Sequence, residues 1–234
     1  VDASQRSFPP LLALAAAALA LAALLWRVFV EPVDFGYVRY VGIADEMVRS
    51  GDWIVLRLVD VLYLRKPPLF VWLVALPLWL AGNAPNWVGH APNLLALVIA
   101  LVCVQRLATA VYGRGEPVLA SLFVFAATWE TFNQATGKRL DPLFAAFLTA
   151  AYTAFFLGSG GTRKGRARPW LLALSWLFVA LATLTKGPVA ILFFLVVALP
   201  WAAWTGRVRA FGSAGSLAGI ALLGALSAFW PALL

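Results

Sequence analysis

The sequence predicts an all-α, polytopic transmembrane helical bundle of about seven spans, with a long first extracytoplasmic loop carrying juxtamembrane helices. Three observations lead there. Apolar side chains make up 63% of the chain and charged ones only 12%, with a mean hydropathy of +0.88, far from the roughly 45–50% apolar content of soluble domains. Seven apolar runs reach about the 20 residues a helix needs to cross 30 Å of hydrocarbon. The basic residues fall in short clusters between those runs rather than on one face.

The runs are 11–30, 91–111, 117–136, 142–161, 169–185, 187–205 and 210–230. The first is followed by Trp26 and Arg27 where a signal peptide would carry small residues, so it is read as a span. An eighth run, 67–82, contains Pro77 and would reach only about 24 Å as a helix. Arg106 with Arg114, then Arg163, Lys164, Arg166 and Arg168, then Arg207 with Arg209 occupy every second connection. By the positive-inside rule that side is cytoplasmic. Parity then makes 67–82 interfacial or re-entrant and places 31–90, Asp141 and Lys186 outside. The alternative, with 67–82 crossing, leaves 31–66 as a cytoplasmic loop with five basic and six acidic residues, against the same rule. Within 37–50, Val41, Ala44, Met47 and Val48 recur at helical spacing opposite Arg39, Asp45, Glu46 and Arg49, the pattern of a helix lying in the interface, closed by Gly51 and anchored by Trp53.

The formal charge of +8 is spread over loops that face anionic lipid, which argues against nucleic acid as a partner. A single cysteine, Cys103, excludes a disulfide framework within the chain and any cysteine metal cluster. His90 stands alone and is read as an interfacial residue. Asp141, at Leu-Asp-Pro, has the composition of a helix start and could serve as a cap. Lys186, between two spans with no room for a loop, is an ionisable residue near membrane depth and so a functional candidate.

The segments "YVGIADEMVRSGDWIV", "LYLRKPPLFVWL", "GKRLDPLFAAF", "ALATLTKGPVAILF" and "FWPALL", in this order, resemble the landmarks of GT-C class membrane glycosyltransferases. They are most similar to the bacterial branch that includes lipid A aminoarabinose transferases and relatives of protein O-mannosyltransferases. The resemblance implies transfer of a sugar, with inversion, from a polyprenyl-phosphate carrier to an acceptor on the outer face of the bacterial cytoplasmic membrane. It implies Asp34 and Asp141 as catalytic carboxylates, and Lys66, Arg65, Lys186, Arg139 and Tyr63 as contacts to the carrier phosphate. Cations suit this chemistry because the phosphate leaves as an anion, while a carboxylate takes the proton of the acceptor. Two departures stand out: relatives carry an acid directly before the lysine matching Lys66, where this chain has Arg65, and an acid four positions before Tyr40, where it has Gly36. Asp34 is the nearest carboxylate to that second position.

No cofactor is implied with certainty, and a divalent cation stays open. The expected partners are the polyprenyl-phosphate sugar and membrane lipid, with a partner chain or a second copy supplying C-terminal elements also open. The chain is read as one transmembrane module, 1–234, without a soluble C-terminal domain. A different class of function also stays open at this point: a non-catalytic module that binds or moves a lipid-linked sugar.

Overall fold

The computed structural model describes residues 22, 25–26, 28–30, 35–82, 86–128, 133, 139–161 and 165–233. Eight helices account for most of them: α1 (Phe35–Ser50), α2 (Leu69–Ala81), α3 (Ala91–Tyr112), α4 (Glu116–Ala127), α5 (Leu140–Gly158), α6 (Pro169–Lys186), α7 (Val189–Trp204) and α8 (Ala214–Leu233). Four segments are long and apolar enough to cross a membrane, containing α3, α5, α6 and α8; α2, α4 and α7 are shorter apolar helices. The chain is a multi-pass membrane protein. Most of the run 11–30 lies outside the described residues. Within the run 117–136, α4 ends at Ala127, where Thr128 turns extended and both its N–H and its hydroxyl donate to the Phe125 carbonyl; of the residues beyond, only Asn133, which is helical, is among those described.

The centre of the bundle is the antiparallel pair α5 and α6. About 61% and 56% of their spanning windows are buried, against 17% and 22% for the segments containing α3 and α8, which therefore turn most of their surface outward. Gly158 lets α5 end against Leu171 and Leu172, and the buried Ser175 hydroxyl donates to the Ala151 carbonyl at 2.9 Å. The buried threonine hydroxyls of α5 and α6 are satisfied by their own helices: Thr153 donates to the Thr149 carbonyl, Thr183 to that of Val179 and Thr185 to that of Leu181. α7 is tied to α5 by the Tyr152 hydroxyl, which donates to the Phe193 carbonyl at 2.7 Å. Phe155 lies edge-on to Phe194 and Trp201, filling the space between these helices.

α8 runs parallel to α6, and its contact is made by glycine. A Cβ on Gly215 would meet the Pro169 carbonyl oxygen at 1.9 Å, and one on Gly219 would meet Trp176 Cβ at 2.6 Å and the Ala173 carbonyl at 2.9 Å. Gly215 and Gly219 form the small-xxx-small spacing that lets membrane helices approach closely, where dispersion replaces the hydrophobic drive.

α1 buries Tyr40, Val41, Ile43, Ala44 and Met47, so the face read from spacing is the buried one, widened by Tyr40 and Ile43. Gly51 closes the helix at φ 73 with its N–H on the Met47 carbonyl. A two-residue antiparallel ladder follows, β1 (Arg57–Leu58) with β2 (Val61–Leu62), which no alternation in the sequence announces. Its turn places Val59 and Asp60 at φ 55 and 61, a conformation that favours Asn or Gly and is costly for a β-branched side chain. The Glu46 carboxylate accepts both turn N–H groups, at 3.0 and 3.2 Å, and holds the hairpin to α1.

Between Gly51 and the hairpin, Asp52 organises a tight turn by accepting the N–H groups of Ile54 and Val55, each at 3.0 Å. The carbonyls this turn presents are then taken by two indoles: Trp72 of α2 donates to Trp53 at 2.7 Å, and Trp230 of α8 donates to Ile54 at 3.0 Å. Through these bonds the segment sits at the end of the bundle where α6 finishes and α8 finishes. α2, with 13 residues, spans about 20 Å. The 3₁₀ turn Asn86–His90 that precedes α3 packs against α1 and α2. His90 is buried at that junction, 1% exposed, rather than open at the interface.

Two expected outcomes follow from this packing. Gly219→Leu should separate α6 from α8 and destabilise the fold by about 1–3 kcal/mol or more, as overpacking does, read as a lowered unfolding midpoint in detergent, while Gly224→Leu, where a Cβ meets nothing within 4 Å, should leave it nearly unchanged. The N–H groups of Val55 and Ile54 hold the Asp52 carboxyl below its usual range. The stabilisation Asp52 contributes is therefore present above its unfolded pKa and is lost as pH falls through the lowered folded one. Asp52→Ala should speed amide exchange at Ile54 and Val55 near neutral pH, and its unfolding midpoint should fall less than the wild type's on acidification.

Candidate active site

The end of the bundle described above gathers most of the charged residues singled out from sequence. Asp141 lies in the first turn of α5, where the helix dipole favours an acid, and Lys186 is the last residue of α6, where it favours a cation. Because the two helices are antiparallel, these positions meet. Lys186 Nζ contacts Asp141 Oδ1 at 2.5 Å and stands 5.1 Å from the centre of the Phe144 ring. The pair is open to its surroundings, with the lysine side chain 32% and the aspartate side chain 58% exposed.

Capping is not what Asp141 does here. The N-cap of α5 is Arg139, extended and exposed, and the partner of the Asp141 carboxylate is Lys186. Gly187, at φ 100, and Pro188 then turn the chain directly into α7, so the lysine is fixed at a break with no loop to relax into. An ammonium group has three donors. One faces Asp141, leaving two for an anion.

Arg65 and Lys66 precede α2, whose N-cap is Pro68. Arg65 is exposed and Lys66 half-buried. Pro67 and Pro68 remove two backbone donors and fix the approach to the helix, and the Pro68 carbonyl accepts the first α-helical bond, from Trp72, at 2.9 Å. α2 packs on α1 and on α6, so the cation pair sits on the same end as Lys186.

Tyr63 is anchored by its N–H on the Leu56 carbonyl at 2.8 Å, and its hydroxyl engages that of Tyr40. Tyr40 stacks edge-on to Phe70 at 4.9 Å and also interacts with Arg39. Burial is the main reason the Tyr40 hydroxyl is pushed up to about 12, reinforced by Tyr63 and opposed by Arg39. At neutral pH Tyr40 is therefore a hydrogen-bond donor. Arg39 and Tyr40 entered the sequence reading only as part of a helix face and as a landmark; the signal available was the cation between two tyrosines in "YVRY".

Asp34 lies outside the described residues. Among the described residues no three His, Cys, Asp or Glu side chains gather as a metal-binding group, so the residues in hand do not assemble a donor set for a divalent cation.

The opposite end carries the arginines. Arg106, Arg114, Arg166 and Arg168 line one cavity, and Arg207 donates to the Gly160 carbonyl at 2.8 Å beside it. Arg163 and Lys164 lie outside the described residues; Arg106, Arg114, Arg166, Arg168 and Arg207 share one end of the bundle, and Asp141 and Lys186 are at the other.

The chain is similar to known proteins in sequence and in fold. It is 29% identical to the undecaprenyl phosphate-alpha-4-amino-4-deoxy-L-arabinose arabinosyl transferase of Edwardsiella ictaluri over 181 residues, covering 77% of this chain and 32% of that protein. With the transferase of the same name from Shewanella sediminis it shares 33% over 168 residues, covering 71% of this chain and 30% of the relative. The chain thus spans about a third of the length of these relatives. Its fold matches the crystal structures of ArnT from Cupriavidus metallidurans, with a TM-score of 0.76 for the form bound to undecaprenyl phosphate and 0.73 for the apo form. Sequence identity to these is 22% and 23%, and the match covers 95% of this chain and 41% and 42% of those chains. The family profile described as dolichyl-phosphate-mannose-protein mannosyltransferase matches residues 65–234, well over half of the chain, and the chain belongs to that family.

Proposed function

We propose that this chain forms the donor-side half of the active site of an inverting glycosyltransferase that takes a sugar from a polyprenyl phosphate at the outer face of the bacterial cytoplasmic membrane. The observation that carries the reading is the open Asp141–Lys186 pair, set at the end of the bundle away from the arginines and beside the helix preceded by Arg65 and Lys66. The positive-inside rule supports the orientation, because the arginine-rich end is then cytoplasmic. The relatives' names supply the carrier class, undecaprenyl phosphate.

In this reading Lys186 and Lys66 take the phosphate oxygens of the donor, with Arg65, Arg139 and Tyr63 around them. The bond from the anomeric carbon to the phosphate oxygen breaks, and its electron pair leaves with the phosphate, whose charge the cations hold. The acceptor hydroxyl attacks the opposite face of the sugar and its proton passes to a carboxylate, Asp141 or Asp34. Tyr40, protonated and buried against Phe70, keeps Tyr63 in place. The segment 31–90 lies outside in this arrangement as one loop. A 13-residue α2, too short for about 30 Å of hydrocarbon, fits a re-entrant or interfacial helix.

Orientation is testable with single cysteines at Ser50 and Ala167 in a Cys103→Ala background. A membrane-impermeant thiol reagent added to intact cells should label the first and spare the second; the reverse pattern would overturn the sidedness.

Chemistry is testable with a radiolabelled undecaprenyl-phosphate sugar. Lys66→Ala should weaken carrier binding tenfold or more, since a charge-assisted contact is worth roughly 1.5–3 kcal/mol, whereas Arg209→Ala, at the opposite end, should not. Asp141→Asn keeps size and removes basicity, so transfer should fall by on the order of a hundredfold while the fold survives, because an exposed ion pair contributes only about 0–1 kcal/mol. Carrier binding by the wild type with no transfer to any lipid or protein acceptor would favour the non-catalytic module instead.

A further inference from the structure

The cavity at the arginine-rich end is built from three separate parts of the chain. Arg106, with Gln105, comes from the last turns of α3, Arg114 from the connection to α4, and Arg166 and Arg168 from the connection between α5 and α6. Together they enclose a volume of about 700 Å³. All four guanidinium side chains are exposed, and among the described residues none forms an ion pair with a carboxylate. Loop arginines scattered for topology would not need to converge. Here convergence is fixed by the backbone: the Arg168 N–H donates to the Gly158 carbonyl at 2.7 Å, and Arg207 clamps Gly160, so the connection folds back over the end of α5.

Apolar residues of the spans line the same cavity: Val118 and Leu119 on α4 and Leu157 on α5. α4 and α5 both pack on α3, and the cavity lies between them, so it joins a cationic rim to a hydrocarbon-lined cleft. A soluble phosphate would use the rim and leave the cleft bare. A phosphodiester carried on acyl chains uses both, since guanidinium forks match phosphate oxygens and buried chains exclude water. Basic pockets between spans on the cytoplasmic side have this chemistry.

We propose that this cavity is a binding site for an anionic phospholipid, with the headgroup phosphate on Arg106, Arg114, Arg166 and Arg168 and an acyl chain against Val118, Leu119 and Leu157. It lies at the end of the bundle away from Asp141 and Lys186 and is independent of the donor site.

The test is native mass spectrometry of the purified full chain in neutral detergent, titrated with phosphatidylglycerol, with phosphatidylcholine, and with glycerol 1-phosphate, which carries the phosphate without the chains. Phosphatidylglycerol should bind in preference to phosphatidylcholine. The double variant Arg106→Gln, Arg168→Gln should weaken that binding about tenfold, while Arg209→Gln, which removes a charge from the same end outside the cavity, should not. Should the double variant fail to fold, Arg106→Gln alone, which leaves the connection intact, should weaken binding severalfold. Equal binding of the two lipids, an equal effect of Arg209→Gln, or binding of glycerol 1-phosphate as tight as that of the lipid would overturn the proposal, the last by assigning the site to a free phosphate.

Discussion

The antiparallel pairing of α5 and α6 is the constraint on which the other elements depend. It is set by ordinary packing, with Gly158 allowing close approach at one end and the Ser175 hydroxyl crossing to Ala151 near the middle. Once it is set, the first turn of α5 must lie beside the last turn of α6. The two dipoles there are opposite in sign, so an acid on one and a cation on the other are each favoured by their own helix before they attract each other. Asp141 and Lys186 inherit their meeting from that geometry. The arginines of the α5–α6 connection inherit the opposite end from the same geometry.

Around this pair the remaining helices divide the work. α8 lies along α6 through glycine contacts, α7 is pinned to α5 by a hydroxyl and a set of aromatic rings, and α3 carries α4 on its outer side. The segment from α1 to α2 is held differently. Apolar positions of α1 and α2, with Leu56 between them, join the core, and the connection is ordered by local hydrogen bonds: Asp52 to its own turn, Glu46 to the hairpin, and two tryptophan indoles to the carbonyls left over. These bonds hold the segment that leads to Arg65 and Lys66, so the position of the two cations rests on polar contacts as well as on the apolar core.

The sequence was legible where one physical rule acted locally. Hydropathy located the four long apolar helices, helical spacing found the buried face of α1, Gly51 marked its end, and the described arginines of every second connection gathered at one end. It was not legible where the determinant was distant or contrary to propensity. Val59 has a β-branched side chain in a left-handed conformation, and only the Glu46 carboxylate, thirteen residues earlier, explains it. Asp141 has the local pattern of a cap, and its actual partner is forty-five residues away. In the sequence Tyr40 is only a landmark near Gly36, and its burial against Phe70 and pairing with Tyr63 come from segments more than twenty residues away.

The bond from the Trp230 indole to the Ile54 carbonyl spans 176 residues of chain. During synthesis the loop that holds Ile54 emerges 176 residues before the tryptophan. The loop therefore remains one hydrogen bond short until α8 has been inserted alongside α6. Assembly of these elements is thereby ordered in time: the loop that leads to Arg65 and Lys66 gains its second indole partner only after the helices between that loop and Trp230 have been made.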